Sequence, residues 1–393
     1  MPTLLQINTV ANWGSVGRIA EEIGKIAISQ GWNSYIAYGR GKPQSESHLI
    51  RIGNDWDMYN HILQSRLFDN HGLASKSATK KFINQIEKIK PDIIHLHNIH
   101  GYYLNYEILF QYFAHIDIPI IWTLHDSWAL TGHCACYECK DFDADCDSCH
   151  YIHTYPKSLF LSRSKKNKEN KEKAFTSVNR MTIVAVSNWL ASRVKRSFLN
   201  KFPIKTIYNG VDVQMFRPLP YLKQNAKTIL SVANVWSEIK GLNDIIALRE
   251  CLPSEYQIIL IGLSKKQIQN LPPNIIGIPQ TNSQLELARY YSNANVVISL
   301  STYETFGLTV AESLACGTPV VVYNVTSPPE LVTNGIGRVV NVHDIEGVKS
   351  AIIDLCSTEK EYWVNPCRSQ AVKFYNKNCN YLQYLDLYKA CIL

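Results

Sequence analysis

Glu304 and Glu312 stand with seven residues between them, around Phe306-Gly307, in the connector that follows the apolar run Val296 to Leu300. Gly307 lets the backbone come close to a ligand, and an apolar helical pattern runs from Leu308 to Cys316 and stops at Gly317. Glu304 then lies in a strand-end loop and Glu312 early on a helix, at one end of a sheet. A helix N-terminus attracts a pyrophosphate. Carboxylates beside it would repel phosphate, so they suit sugar or ribose hydroxyls, from which they accept hydrogen bonds. The positive charge must come from elsewhere. Lys240-Gly241, after the run Thr228 to Val232, opens another helix at the same edge.

A second constellation is built from sulfur. Of eleven cysteines, five fall between Cys134 and Cys149. Cys136-x2-Cys139 and Cys146-x2-Cys149 are two knuckle-like pairs, with Cys134 to spare, and four thiolates suit a closed tetrahedral zinc site. Reduced free thiols are the alternative. His125-Asp126, at the end of the apolar run Ile118 to Leu124, sits where a strand would deliver a side chain to a ligand; His95, His97 and His100 also end a run and read as packing or lining. Gly14 and Gly17 follow the first run, Leu4 to Asn8, without the third glycine of a dinucleotide fingerprint, which disfavours a nicotinamide enzyme.

The elements that must position these groups are legible as alternation. Short apolar runs alternate with helical patterns twice over, as in doubly wound parallel sheets. The first half offers strands at Leu4 to Asn8, Asn33 to Tyr38, Ile93 to Leu96, Ile118 to Leu124 and Thr182 to Val186. The second offers Thr228 to Val232, Gln257 to Ile261, Ile275 to Ile278, Val296 to Leu300 and Val320 to Tyr323. A chain of 393 residues, 46% apolar and 19% charged, is expected to form two soluble domains. They are expected at 1–207, with a Cys-rich insertion at about 132–155, and at 208–375. A terminal helix over 376–393, with Leu382, Leu385 and Leu387-Tyr388 at helical spacing, should dock near the first domain. Tyr208 to Lys227 reads as a hinge, and two such domains should face a cleft.

Charge and targeting narrow the setting. The net charge is +7, and thirteen Lys or Arg between Lys157 and Lys205 face only Glu169 and Glu172. That stretch, with Leu159 to Leu161 nearby, suits peripheral contact with an anionic membrane or a solvated face; no nucleic-acid-binding motif accompanies it. No run of 18 apolar residues and no signal segment are evident, which points to a cytoplasmic protein, reaching at most the inner face of the cytoplasmic membrane.

Taken together, Glu304-x7-Glu312 with Phe306-Gly307, Gly317-Thr-Pro-Val-Val, Lys240-Gly241, Tyr208-Asn-Gly-Val-Asp212 and Val186-Ser187 resemble retaining glycosyltransferase family 4, of GT-B fold, over nearly the whole chain. The resemblance implies a metal-independent transfer of a sugar from a nucleotide-diphosphate donor, UDP- or GDP-linked, to a glycan or lipid-linked acceptor in bacterial surface polysaccharide assembly. It implies catalytic roles for His125, Lys240 and Glu304. Donor contacts would run through Gly14, Lys240, Glu304, Thr305, Phe306, Gly307, Leu308 and Glu312, with Glu304 on the sugar and Glu312 on the ribose. Gly17, Arg18 and Asp126 would lie on the acceptor side. The family's usual Arg before the Lys is missing from Ser231 to Lys240. Bacterial members of colanic-acid type carry a similar cysteine segment, which implies Cys134, Cys139, Cys146 and Cys149 as structural zinc ligands, Cys136 substituting. Two rival readings are an epimerase or hydrolase on the same fold, and a zinc-braced binding protein with an inactive cleft.

Overall fold

The computed structural model describes residues 1–135, 152–220, 226–333 and 335–392. It divides into two compact units, Met1–Ile207 with Tyr381–Leu393, and Tyr208–Asn380.

The first unit carries seven strands: β1 (Thr3–Asn8), β2 (Asn33–Tyr38), β3 (His48–Arg51), β4 (Ile93–Leu96), β5 (Ile120–Leu124), β6 (Met181–Ala185) and β7 (Ile204–Thr206). They lie in the order β3-β2-β1-β4-β5-β6-β7, and every pairing is parallel. Its central strands β1, β4 and β5 are buried at every residue, which is why they read as unbroken apolar runs. The edge strands β3 and β7 are short and half-exposed, and so carry no such signal.

The second unit has β8 (Lys227–Val232), β9 (Tyr256–Ile261), β10 (Ile275–Ile278), β11 (Val296–Ser299), β12 (Val320–Tyr323) and β13 (Gly337–Val340). Their order is β10-β9-β8-β11-β12-β13, again all parallel. Each sheet reverses its direction of growth once, between β1 and β4 in the first and between β8 and β11 in the second. In such sheets a ligand crevice opens beyond the carboxyl ends of the strands at that reversal.

The last helix, Lys377–Ile392, belongs mostly to the first unit. Tyr381, Tyr384, Leu385 and Tyr388 join a core with Leu4, Ile19, Ile23, Ile93, Ile121 and Val184. Leu382, expected on the packed face, is 42% exposed instead, because the helix turns its tyrosines inward. Two of those tyrosines place their polar tips on named partners: Tyr388 Oη lies 2.6 Å from His95 Nδ1, and Tyr384 Oη accepts from Thr123 Oγ1 at 3.2 Å. The chain enters and leaves the second unit through adjacent backbone. Val211 N–H donates to the Tyr375 carbonyl, Lys377 N–H to Val211, and Asn380 Nδ2 to the Tyr208 carbonyl at 3.2 Å.

Candidate active site

In the second unit the predicted donor residues gather at the β8/β11 reversal. After β8 the chain forms a short 3-10 turn, Glu238–Lys240, and Gly241 then starts the helix Leu242–Cys251 at φ +73°. A Cβ on Gly241 would stand 2.2 Å from the Leu300 carbonyl oxygen, so only glycine lets the two loops close on each other. The N–H of Thr302 donates to the Ile239 carbonyl at 2.8 Å and fastens the same junction. Across it Lys240 Nζ meets Glu304 Oε1 at 2.5 Å, with both side chains mostly covered. Glu304 is held from behind by Thr326 Oγ1, which accepts from its N–H, and by Ser327 Oγ, which donates to its carbonyl.

Gly307, at φ +95°, begins the helix Leu308–Ala315, whose start carries no side-chain cap among the described residues and no acid in its first turn. Such an end favours an anion. Phe306 turns away from that end and packs, 2% exposed, between Tyr208 and Tyr375. What this position offers a ligand is therefore backbone, not ring. Thr305 and Leu308 are partly exposed beside it. Glu312 accepts from the buried Tyr291 hydroxyl at 2.9 Å, which fixes one carboxylate oxygen. Trp236, between β8 and the 3-10 turn, is buried, and its indole N–H donates to the Ile261 carbonyl at 2.8 Å.

The first unit assembles histidines instead. Gly14 opens the helix Gly14–Ser29 at φ +64° in open space, whereas Gly17 is buried, because a Cβ there would touch Val10 and Asn12. That helix has no acid in its first turn, and Arg18 is exposed beside it. At the carboxyl ends of β4 and β5, His97, His100, His125, Asp126 and Trp128 line one cavity.

Hydrogen bonding there fixes proton positions. Gln6, buried in β1, donates its amide nitrogen to the Ala20 carbonyl at 2.8 Å, so its oxygen is the end that faces His97 Nε2 at 3.0 Å. His97 must then carry its proton on Nε2, and its Nδ1 accepts from His125 Nε2 at 3.0 Å. His125 is left with Nδ1 as its basic nitrogen. Burial outweighs the nearby Asp126 charge and lowers the His125 pKa to about 4, so the ring is neutral at ordinary pH. Asp126 itself is committed. One oxygen meets His100 Nε2 at 2.7 Å and the other accepts from the Trp128 N–H at 2.9 Å. Burial pushes its pKa up, but these partners outweigh that and hold it below the ordinary value.

The sequence reading named His125 and Asp126 but missed Gln6 and the role of His97. A glutamine inside the otherwise apolar run Leu-Leu-Gln-Ile was the available signal, since a buried amide needs partners.

The basic stretch 157–205 proves less superficial than its composition suggests. Lys171 is buried, donates to the carbonyls of Trp128 and Thr131, and lies 3.7 Å from the Trp128 ring centroid. Arg193 is buried as well, over Trp189. Together with Asp69, which meets His133 Nδ1 at 2.8 Å, Lys171 braces the entry to the cysteine segment. Cys134 is fully buried there. Cys136, Cys139, Cys146 and Cys149 lie outside the described residues. No described helix is long and apolar enough to cross a membrane.

Comparison with known proteins places this geometry in context. The family model described as Glycosyltransferase Family 4 matches residues 16–215, and that described as Glycosyl transferases group 1 matches 217–365. WcaC of Escherichia coli (strain K12), named for glycosyl transfer in colanic acid biosynthesis, is 21% identical over 361 residues, 87% of this chain and 88% of that protein. Among solved structures, sucrose-phosphate synthase from Thermosynechococcus elongatus superposes with a TM-score of 0.73 at 17% identity over 99% of each chain. Anabaena HepE in complex with UDP gives 0.66 at 14% identity, over 99% of this chain and 100% of that one. The two-sheet architecture is the GT-B fold.

Proposed function

This chain belongs to glycosyltransferase family 4, and from that membership we propose that it transfers a sugar, with retention, from a nucleotide-diphosphate donor to a glycan or lipid-linked acceptor in bacterial surface polysaccharide assembly. The observation that carries the donor side is the Lys240–Glu304 pair at the β8/β11 reversal, beside the uncapped start of Leu308–Ala315. Without donor, each partner satisfies the other. A bound diphosphate draws Lys240 and the backbone N–H groups of Phe306 to Leu308, and Glu304 then turns to sugar hydroxyls. Glu312, steadied by Tyr291, accepts from the ribose.

The bond from the anomeric carbon to the diphosphate oxygen breaks as the acceptor oxygen attacks from the same face. The departing phosphate takes the acceptor proton, so no enzymic nucleophile is needed. For His125 we keep the catalytic role that the family resemblance implies, with its ring neutral and its tautomer set by His97. The WcaC likeness and the UDP carried by HepE support this setting and the donor class. The chemistry so assigned needs no metal, and full activity in chelator is expected. The cysteine segment is proposed to hold structural zinc on Cys134, Cys139, Cys146 and Cys149, near one zinc per purified chain.

The decisive experiment is a thermal-shift screen of nucleotides and nucleotide sugars, with Glu312→Ala as control. Stabilisation of the wild type that Glu312→Ala loses is the expected result. If no nucleotide stabilises the protein, or the variant responds equally, the ribose site is wrong.

A further inference from the structure

The helix Asp55–Phe68 leaves its largest apolar side chains outside. Its buried residues are His61 and Ser65, while Trp56, Tyr59 and Leu63 face outward at 84, 61 and 55% exposure, and Phe68 ends the helix at 49%. The buried histidine is fully engaged, with Nδ1 2.9 Å from Ser75 Oγ and Nε2 accepting from the Gly72 N–H at 3.0 Å. The inward face joins His61 and Ser65 to the half-buried Met58 and Ile62, and the larger Trp56, Tyr59 and Leu63 are offered to the surroundings. A helix that packs against its own domain does the reverse.

The same surface continues on a second segment. The Leu159 N–H donates to the Arg66 carbonyl at 2.8 Å, which seats Leu159, Phe160 and Leu161 at the helix end, 40, 76 and 48% exposed. Seven large apolar side chains therefore stand in water on two adjoining segments, where single scattered ones would be ordinary. Arg66, Lys157, Lys165 and Lys166 are exposed on the same two segments and the helix that follows. The acids at the helix start are already engaged: Asp55 pairs with Arg51, and Asp57 closes a capping box on Asn54.

We propose that this face docks on an anionic lipid bilayer, with Trp56, Tyr59, Leu63 and Phe160 seated at the headgroup boundary and the flanking cations on lipid phosphates. A two-fold contact between copies would bring Arg66, Lys157, Lys165 and Lys166 against their own counterparts, which disfavours a dimer through the same surface. The inference deepens the proposed function by naming where the enzyme meets a lipid-linked acceptor. It does not depend on the donor site.

Co-sedimentation with vesicles of equal phosphatidylglycerol and phosphatidylcholine, against phosphatidylcholine alone, tests it. Binding to the anionic vesicles is expected to fall at least tenfold in Trp56→Ser/Phe160→Ser, at least tenfold on neutral vesicles, and markedly in high salt. Both positions are exposed, so the melting temperature and the nucleotide response should stay as in the wild type, which separates this proposal from the donor reading. Lys165→Glu/Lys166→Glu serves if the first variant fails to fold, and should weaken anionic binding alone. Absence of vesicle binding, equal binding by the variants, or a dimer that Trp56→Ser/Phe160→Ser dissolves without any lipid affinity would overturn the proposal.

Discussion

The two units share an architecture and divide the chemistry. Both are parallel sheets that reverse once, and both bring side chains to the carboxyl ends of the strands there. Eleven of the twelve histidines belong to the first 207 residues, and only His343 to the second unit. The first unit works with buried neutral rings whose protons are set by hydrogen bonds. The second gathers a lysine, two carboxylate side chains and a helix end, partly open to water. Equal scaffolds thus carry unequal responses to pH, salt and substitution, and the contrast can be tested by attacking one unit at a time.

Acid should produce the largest separation. Burial lowers the pKa of His61 to about 3 and of His125 to about 4, and drives His71, His95 and His97 well down from 6.5. The unfolded chain therefore binds protons that the folded unit refuses. The stability these rings allow is whole above pH 6.5 and is lost as pH falls towards 4. At pH 5 each of His61 and His125 should cost about 2 kcal/mol. Hydrogen exchange at pH 7 and pH 5 is expected to show β4 and β5 opening while β8 and β11 stay protected; equal loss in both sheets would end the comparison.

Next comes Lys240→Ala, expected to cut turnover by about 100-fold, or about 2.7 kcal/mol of transition-state stabilisation, with the first unit's exchange unchanged. Steady-state kinetics would show it, and a change in KM alone would remove Lys240 from the leaving-group role. His97→Phe should be milder. It frees the His125 tautomer, and a kcat decrease of about tenfold is expected with donor KM unchanged. A shift of the His125 nitrogen resonances from the Nε2–H pattern, seen in 15N-histidine spectra, is the signature a merely structural role would not give. Tyr388→Phe is the smallest, costing the first unit about 1 kcal/mol through its bond to His95.

What the sequence disclosed follows the same division. The uniformly apolar central strands and the set Lys240, Glu304, Gly307 and Glu312 could be read directly, because burial on both faces and loop position leave local marks. The contact of Lys240 with Glu304 could not, since it spans 64 residues and depends on Gly241 closing against Leu300. The chain from Gln6 through His97 to His125 joins three strands and has no local signature. The helix Asp55–Phe68 spreads its apolar residues all round, so no periodicity in the sequence says which side faces out. Lys171 looked like one more solvated cation until its carbonyl partners placed it inside.

The final helix also imposes an order on synthesis. Tyr388 lies 293 residues after the histidine it meets, and Tyr384 lies 261 after Thr123. A ribosome releases the uninterrupted stretch Tyr208–Asn380 before the tyrosines that complete the earlier sheet. The second-made unit can therefore finish first, while β4 and β5 hold His95 and Thr123 without their tyrosine partners until the last residues emerge. A chain cut at Asn380 would keep one finished sheet and leave the other lacking its closing helix.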